Sequence, residues 1–426
     1  MISELKSTKG ILIGLICLLY VGLFFPIHIS NITIIGILLF CLIKTPPKDF
    51  LETLKRNVFS KIMTSFYFLY IIGLLYTSNY KVGLFVLEKK ITLLLFPLLL
   101  LPLFQRVDIG KSIVYKIIGY ITILSSIVLI VIAGYKTVIL QNTQAFYFEN
   151  FTTPLLPYVY YSIYFAVGSL FLLESLFEEM IKWKYGVFIL FILFIYSISF
   201  LILVASKTGI LAYAFTSIIL LYKKIENGKI ITIFLAVLII SSSTVLYFND
   251  TTRGRFTELS QNLSILTRDE LGDWQEETLT GLNMRLLFWK ISIVNSWKDN
   301  LVLSGNGTGD AQDYLDSLYT NPKYNREGYV GWDSHNEWIF TYLQIGIIGV
   351  FMMGLLYSYL FRKANSTNDM KLLSFLLITL AFSMSESILE SNKGIVFFAL
   401  MSTLLSSNTS KATFHPDVQH HRARDN

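Results

Sequence analysis

Long apolar runs separated by short polar connections dominate the hydrophobic pattern of this chain. The runs are continuous stretches of Ile, Leu and Phe rather than alternating apolar and polar positions, which indicates helices. A helix needs about 20 such residues to cross a bilayer core of roughly 30 Å, where an open sheet would leave its backbone unsatisfied. Pro97 and Pro102 interrupt the fourth run and predict a kink there. We predict about twelve membrane helices, near residues 10–25, 31–43, 60–77, 83–104, 113–134, 155–174, 185–204, 208–222, 230–247, 336–361, 371–386 and 394–406.

One polar segment, residues 248–335, is too long to be a simple connector. Phe256, Leu259, Leu263 and Leu266 recur in it at helical spacing, and NMRLLFWKISIVNSWKDN mixes apolar and basic residues as an interfacial helix does. Helices that merely cap the bundle would show the same pattern. The predicted organisation is a membrane bundle of about nine spans at 1–247, an outer loop at 248–335, about three spans at 336–406 and a disordered tail at 407–426.

Composition favours a polytopic membrane protein. Of the 426 residues, 54% are hydrophobic and 15% are charged, whereas about a quarter of a soluble domain is charged. The net charge of +6 does not indicate nucleic-acid binding, because the basic residues are scattered through short loops. Cys17 and Cys41 both lie in apolar runs, so no disulfide framework or cysteine metal site is predicted. The first apolar run has no small-residue cleavage site after it and is interpreted as an uncleaved span.

The distribution of Lys and Arg predicts an orientation. In the twelve-helix arrangement, the basic residues of the short connections all fall on one side, which the positive-inside rule makes the cytoplasm. Both termini are then cytoplasmic, and the loop 248–335 faces the periplasm. The basic residues concerned are Lys44, Lys48, Lys55, Arg56, Lys61, Arg106, Lys111, Lys182, Lys184, Lys223, Lys224, Lys229, Arg362, Lys363 and Lys371.

Three ionisable side chains share the predicted outer face: Lys207, Arg285 and His335. Charged groups near membrane depth are costly and are usually paired or functional. Each also has an ordinary explanation. Lys207 fits a snorkelling lysine at a helix end, Arg285 a solvated arginine, and His335 a helix-start residue, since Asp333 and Ser334 beside it are good N-cap residues.

The stretch LSGNGTGDAQ tempts a nucleotide-binding interpretation, because Gly305, Gly307 and Gly309 alternate in it. It lacks the GxGxxG spacing and the GK[ST] ending, so a flexible turn is the better interpretation. Outer aspartates such as Asp310 and Asp333 have the oxygen ligands that Mg²⁺ takes, but aspartates in such loops are usually just hydrated. We predict no metal and no cofactor.

In this order, RLLFWKISIV, LSGNGTGD and DSHNEWIFTYLQIGIIG resemble the O-antigen ligase and polymerase superfamily. The family pattern has an Arg before an aromatic-rich helix, a Gly-x-Gly turn, and His-Asn before an apolar helix with Gly-x-x-Gly. The stretch SKTG resembles a further motif that usually has Arg where this chain has Lys207, and SESILE at 385–390 resembles a late family segment. The sixth predicted span departs from the family in having no His before its Tyr-Phe. The matching residues are Arg285, Gly305, Gly307, His335, Asn336, Gly346 and Gly349.

The resemblance implies an all-α bundle like that of GT-C glycosyltransferases and a metal-independent transfer of a glycan from undecaprenyl diphosphate. The expected place is the periplasmic face of a bacterial inner membrane. Arg285 and Lys207 suit the diphosphate, although Lys cannot grip phosphate bidentately, and His335 suits the base that takes the proton of the acceptor. The residues expected to bind substrate are Asp333, Asn336, Glu337, Gly305 and Gly307.

The predicted function is that of a ligase, whose acceptor is lipid A core. The motifs do not separate it from a polymerase that joins lipid-linked repeat units, or from transfer to serine or threonine of a protein. A flippase or transporter of lipid-linked sugars is the alternative from a different class. No internal repeat is visible and the polar groups cluster at the outer edge, which favours the enzyme.

Overall fold

The computed structural model describes residues 2–107, 109–146, 149–180, 183, 185–224, 232, 281–322, 324 and 327–407. Within these ranges the regular structure is helical and contains no strand, which confirms the predicted all-α class there. The helices of the first half are α1 (Ile2–Gly22), α2 (Ile27–Lys44), α3 (Pro47–Arg56), α4 (Val58–Leu74), α5 (Tyr80–Lys90), α6 (Thr92–Leu95), α7 (Leu101–Arg106), α8 (Lys111–Val138), α9 (Glu149–Thr152), α10 (Tyr158–Met180), α11 (Gly186–Leu203) and α12 (Lys207–Lys224). The later helices are α13 (Gly281–Lys298), α14 (Ala311–Thr320), α15 (Glu337–Thr367), α16 (Met370–Ser383) and α17 (Asn392–Ser406).

Five of the described helices are long and apolar enough to cross a membrane, namely α2, α8, α10, α11 and α15. The bent pair α3–α4 adds a sixth if it counts as one span. Shorter apolar helices occur at Ser7–Gly22, Met370–Ser383 and Asn392–Ser406. The chain is thus a membrane protein, while the number of twelve spans stays a prediction. The predicted span 230–247 lies outside the described residues except for Thr232, and so do the repeat of Phe256 to Leu266 and the tail beyond 407.

One predicted span is broken in the structure, and another is a continuous helix that follows a sharp bend. The helix predicted at 60–77 is α4, which meets α3 at an angle of 93°. The span predicted at 83–104 is a succession of α5, α6, a π-helical turn at Phe96–Leu100 and α7. Pro97 lies in that π-helical turn and Pro102 in the first turn of α7. The helical hydrogen-bond pattern therefore changes where these prolines lie, because proline has no backbone N–H to donate. The kink itself stays a prediction.

The packing places α10 at the centre of the bundle. Its apolar stretch Tyr158–Phe177 is 89% buried, and it contacts α8, α11, α12 and α16. Helix α15 packs against α4 and α16, and α17 packs against α16 and the broken α5–α7 stretch. The connection between α16 and α17, which includes a 3₁₀ turn at Ile388–Glu390, therefore lies among α5, α12 and α15.

A second, smaller apolar core holds the helices of the outer segment. Leu287 and Phe288 of α13 pack with Leu315 of α14 and with Phe340 and Leu343 of α15. This core fixes α13, the helix predicted from NMRLLFWKISIVNSWKDN, against the beginning of α15. Arg285 lies one residue before Leu286 on that fixed helix.

Helix α15 is interrupted where its glycine motif begins. Ile345 and Gly346 leave the helical conformation, and Gly346 has φ +68°. The chain at 301–309 packs into this break: the Ile347 N–H donates to the Val302 carbonyl at 2.8 Å, and the Gly307 N–H donates to the Gln344 carbonyl at 3.1 Å. Backbone groups freed by the break are thus satisfied by the loop, as an apolar environment requires.

Basic residues and the polar segment around His335 lie at opposite ends of α15. The helix begins directly after Asn336 and reaches Arg362 and Lys363 near its other end. At that other end, Lys363 donates to the Ser406 carbonyl at the end of α17. The length of α15 therefore separates these two basic residues from the segment around His335, while the assignment of either side to the cytoplasm stays a prediction.

Candidate functional site

The centre of the candidate site is Glu386, a carboxylate that joins two of the predicted catalytic residues. One of its oxygens, Oε1, lies 2.6 Å from Nη2 of Arg285, and the other, Oε2, lies 3.0 Å from Nδ1 of His335. All three side chains are mostly buried, with exposures of 22% for Arg285, 22% for His335 and 16% for Glu386. We call these three residues the Glu386 cluster.

The backbone around Glu386 also holds Arg285. Nε of Arg285 donates to the Ser385 carbonyl at 3.0 Å, and Nη1 donates to the Gly281 carbonyl at 3.3 Å. Three of the five guanidinium N–H groups are therefore engaged by these contacts. The arginine is held in one orientation with two N–H groups left for a further acceptor.

The backbone at His335 adopts a left-handed conformation, with φ +47°. His is one of the few non-glycine residues that enter this region with any frequency, and outliers of this kind gather at functional sites. The conformation is supported by the His335 N–H, which donates to Oδ1 of Asp333 at 2.7 Å. The ring of Trp332 lies edge-on to the imidazole with 5.6 Å between ring centroids.

The two ring nitrogens of His335 have different surroundings. Nδ1 faces Glu386, whereas Nε2 is buried and has no hydrogen-bond partner among the described residues. A carboxylate at Nδ1 favours the tautomer that carries the proton there, which leaves Nε2 with a lone pair. The geometry is that of a base oriented by an acid, the arrangement that recurs in nucleophile-activating sites.

Asn336 and Glu337 tie the beginning of α15 to the α16–α17 connection. Asn336 is the N-cap: its Oδ1 accepts from the Trp338 N–H, and its Nδ2 donates to the Met384 carbonyl at 3.1 Å. Glu337 is fully buried, and its Oε2 accepts from the Leu389 N–H at 2.7 Å. The cap is thus Asn336 rather than Asp333 or Ser334. That either Asn336 or Glu337 contacts substrate stays a prediction.

A second group of charged side chains, which is more buried than the Glu386 cluster, lies between α5 and α15. Lys90 is completely buried; its Nζ is 2.6 Å from Oε1 of Glu390 and lies over the Tyr70 ring at 4.6 Å. The other Glu390 oxygen accepts from Nε2 of Gln344 at 3.2 Å. With Glu337 these residues form what we call the buried ion cluster. It holds two carboxylates beside Lys90, whose Nζ also donates to the Leu389 carbonyl.

Lys207 begins α12 and is partly buried. The helix start is capped by Ser206, whose Oγ accepts from the Gly209 N–H at 3.1 Å. The neighbouring Thr208 has its Oγ1 2.9 Å from Oγ of Ser385. The start of α12 therefore lies directly beside the Glu386 segment, which brings the SKTG motif to the same place as Arg285 and His335.

The predicted glycine turn lies next to the break in α15 rather than within the Glu386 cluster. Gly305 has φ +69° and Gly307 has φ +104°. A Cβ on Gly305 would lie 2.7 Å from the backbone of Gln344, so only glycine fits there. The structure shows a packing reason for these glycines, and their role in substrate binding stays a prediction.

The outer aspartates have internal partners. Asp310 accepts from the backbone N–H groups of Ser78 and Asn79 at 2.6 and 2.7 Å, which anchors the glycine turn to the α4–α5 connection. Asp313 accepts from the Asn79 amide at 2.9 Å. Among the described residues, no group of three or more His, Cys, Asp or Glu side chains forms a metal site.

Asp333 lies beside the Glu386 cluster, with Oδ1 3.7 Å from Nδ1 of His335. Partial burial raises the pKa of its carboxyl above the usual range, and the neighbouring His335 opposes that rise. Asp333 therefore takes up a proton more readily than an exposed aspartate does. The charge of Asp333, next to His335, therefore depends on how much water reaches its carboxyl group.

Comparison with protein families identifies a related domain. Residues 192–354 match the family model described as O-antigen ligase, which confirms the resemblance seen in the motifs. The matched segment contains Lys207, Arg285 and His335, whereas Lys90, Glu386 and Glu390 lie outside it. No curated protein matches the chain.

Proposed function

From the match of residues 192–354 to the O-antigen ligase family model, we propose that the protein transfers a glycan from undecaprenyl diphosphate to a hydroxyl of lipid A core on the periplasmic face of a bacterial inner membrane. The observation that carries the proposal is the Glu386 cluster. Just before the membrane helix α15, His335 has its Nδ1 facing the Glu386 carboxylate, and its Nε2 has no hydrogen-bond partner among the described residues. Arg285 of α13 contacts the same carboxylate.

The proposed chemical step uses His335 as general base. Nε2 takes the proton of the acceptor hydroxyl while the oxygen of that hydroxyl forms a bond to the anomeric carbon of the donor. The bond between this carbon and the phosphate oxygen breaks, and its electron pair leaves with the diphosphate. Glu386 stabilises the imidazolium that results, because its carboxylate lies 3.0 Å from Nδ1.

Positive charge is needed where the diphosphate leaves. Arg285 has two N–H groups besides the three that contact Glu386, Ser385 and Gly281, and the guanidinium group matches phosphate oxygens in geometry. Lys207, at the start of α12 beside Ser385, adds a second cation. Because these two side chains serve the diphosphate, the proposed mechanism contains no metal ion. The energy of the reaction comes from the diphosphate leaving group itself.

The remaining predicted residues take supporting roles in this proposal. Asn336 and Glu337 hold the beginning of α15 against the connection that carries Glu386, and Asp333 fixes the backbone of His335. Gly305 and Gly307 allow the outer loop to approach α15 closely.

The test is a polysaccharide profile of a deletion strain complemented with wild type, His335→Ala or Arg285→Ala at equal expression. The ligase proposal expects full-length glycan on the lipid carrier and none on lipid A core in the deletion strain, with rescue by wild type only. Accumulation of single repeat units would identify a polymerase instead. A normal profile with both variants would refute the catalytic assignment and favour a transporter of lipid-linked sugars.

A further inference from the structure

A cavity of about 320 Å³ lies beside the Glu386 cluster, between α5, the beginning of α14 and the first turns of α15. Its wall includes Asp333, whose Oδ1 accepts from the His335 N–H at 2.7 Å. The volume is at the lower end of the range of small-molecule sites, about 300–1,000 Å³. The cavity is therefore large enough for a small ligand, and one of its lining residues, Asp333, contacts the proposed base.

One side of the cavity offers hydrogen-bond acceptors. Gln344 is 1% exposed and lines the cavity, and its Oε1 has no hydrogen-bond partner among the described residues. Its Nε2 is occupied by Glu390, which also lines the cavity, as does the Asp333 carboxyl. A buried acceptor without a donor is costly, so a ligand that brings donors removes that cost.

The cavity also has apolar lining. Val82, Phe85 and Val86 of α5 and Phe340 of α15 line it, together with Lys89, whose Nζ donates to the Glu390 carbonyl at 3.0 Å. A sugar ring has C–H faces that pack on apolar and aromatic side chains and hydroxyl groups that donate hydrogen bonds. A cavity lined by both apolar side chains and hydrogen-bond acceptors fits that chemistry.

We propose that this cavity binds the acceptor sugar residue, with Gln344 accepting a hydrogen bond from one of its hydroxyl groups. The inference rests on the proposed glycan transfer and specifies the place where the acceptor binds. A sugar held between α5 and α15 next to Asp333 has its neighbouring hydroxyl close to His335. The apolar wall then selects the acceptor by shape, and Gln344 selects it by hydrogen bonding.

The experiment compares two substitutions on α5. Val82→Trp fills the cavity, whereas Leu84→Trp adds the same side chain on the same helix at a position that is 48% exposed and does not line the cavity. Gln344→Met is a third variant, which keeps a similar volume and removes the acceptor. Each purified protein is assayed with the lipid-linked glycan of its own strain as donor, and with lipid A core or a lipid-linked repeat unit as acceptor.

The proposal expects Val82→Trp and Gln344→Met to raise the KM for the acceptor about tenfold or more, with the KM for the donor unchanged. Leu84→Trp should behave like wild type. An unchanged acceptor KM in both cavity variants, or a rise in the donor KM alone, would overturn the proposal. Transfer by wild type to neither acceptor would instead refute the proposed function, and this inference with it. Should Val82→Trp fail to fold, Gln344→Met decides.

Discussion

Replacing Lys90 by methionine should destabilise the protein strongly. Lys90 is completely buried, and its Nζ is 2.6 Å from Glu390 and 3.2 Å from the Leu389 carbonyl. Methionine has a similar length and no charge, so Glu390 would lose the cation that contacts its carboxylate. Lys89, whose Nζ donates to the Glu390 carbonyl, would remain nearby. Removal of one partner from a buried ion pair costs about 3–5 kcal/mol, because an uncompensated charge remains. Solvent screening reduces this value only in part, because Lys90 is fully buried and the Glu390 side chain is 12% exposed.

The assay is reversible unfolding of the purified protein in mixed detergent micelles, followed by tryptophan fluorescence. The Lys90→Met/Glu390→Gln double variant removes both charges of the pair and should be more stable than Lys90→Met alone, which a double-mutant cycle measures. Lys81→Met is the matched control, because Lys81 lies on the same helix and is exposed. A loss below about 1 kcal/mol for Lys90→Met, the range of surface pairs, would refute the reasoning.

Two further substitutions test the site and the helix break. Glu386→Gln keeps the size of the side chain but removes the charge that faces His335. The rate of transfer should therefore fall about 10²–10⁴-fold, the range of general acid–base catalysis. The control Glu327→Gln, at an exposed position, should leave the rate of transfer unchanged. Gly346→Ala should lower the melting temperature and the yield of folded protein, because its Cβ would lie 2.0 Å from the Leu303 carbonyl oxygen at φ +68°. Gly354→Ala, whose Cβ would meet its nearest atom at 3.9 Å, should melt like wild type.

The sequence predicted the class of the fold and two members of the Glu386 cluster. Continuous apolar runs indicate membrane helices without any knowledge of packing, and the motifs around Arg285 and His335 indicate chemistry from residue type and order. The break in α15 was visible in advance only as a glycine motif. Its form depends on the loop that fills it, since Gly346 approaches Leu303 from another part of the chain.

The sequence alone does not single out Glu386 as a site residue, although SESILE resembles a family segment. Its partners His335 and Arg285 are 51 and 101 residues away in sequence, and only the packing of α16 against α15 brings them together. Lys90 was hidden for the same reason, because its partner Glu390 follows 300 residues later. The residues next to Lys90 in sequence do not show whether this lysine forms a buried ion pair or extends to the membrane surface.

The number of membrane spans could not be obtained from hydropathy alone. Length and apolarity count a straight helix as one span, but α5, α6 and α7 replace a single predicted helix with a broken one. The helix breaks follow from proline and from close approach between elements, which are tertiary effects. A window average over the sequence does not register them.

The most direct test of the account is the rate of glycan transfer by purified His335→Asn protein. Asparagine tolerates the left-handed backbone at φ +47°, and its amide can donate to Glu386, so the variant keeps the fold and loses the base at Nε2. The account predicts that the variant melts like wild type, still binds the lipid-linked donor and transfers glycan about 10²–10⁴-fold more slowly. Transfer at the wild-type rate would contradict the central claim that His335 takes the proton of the acceptor.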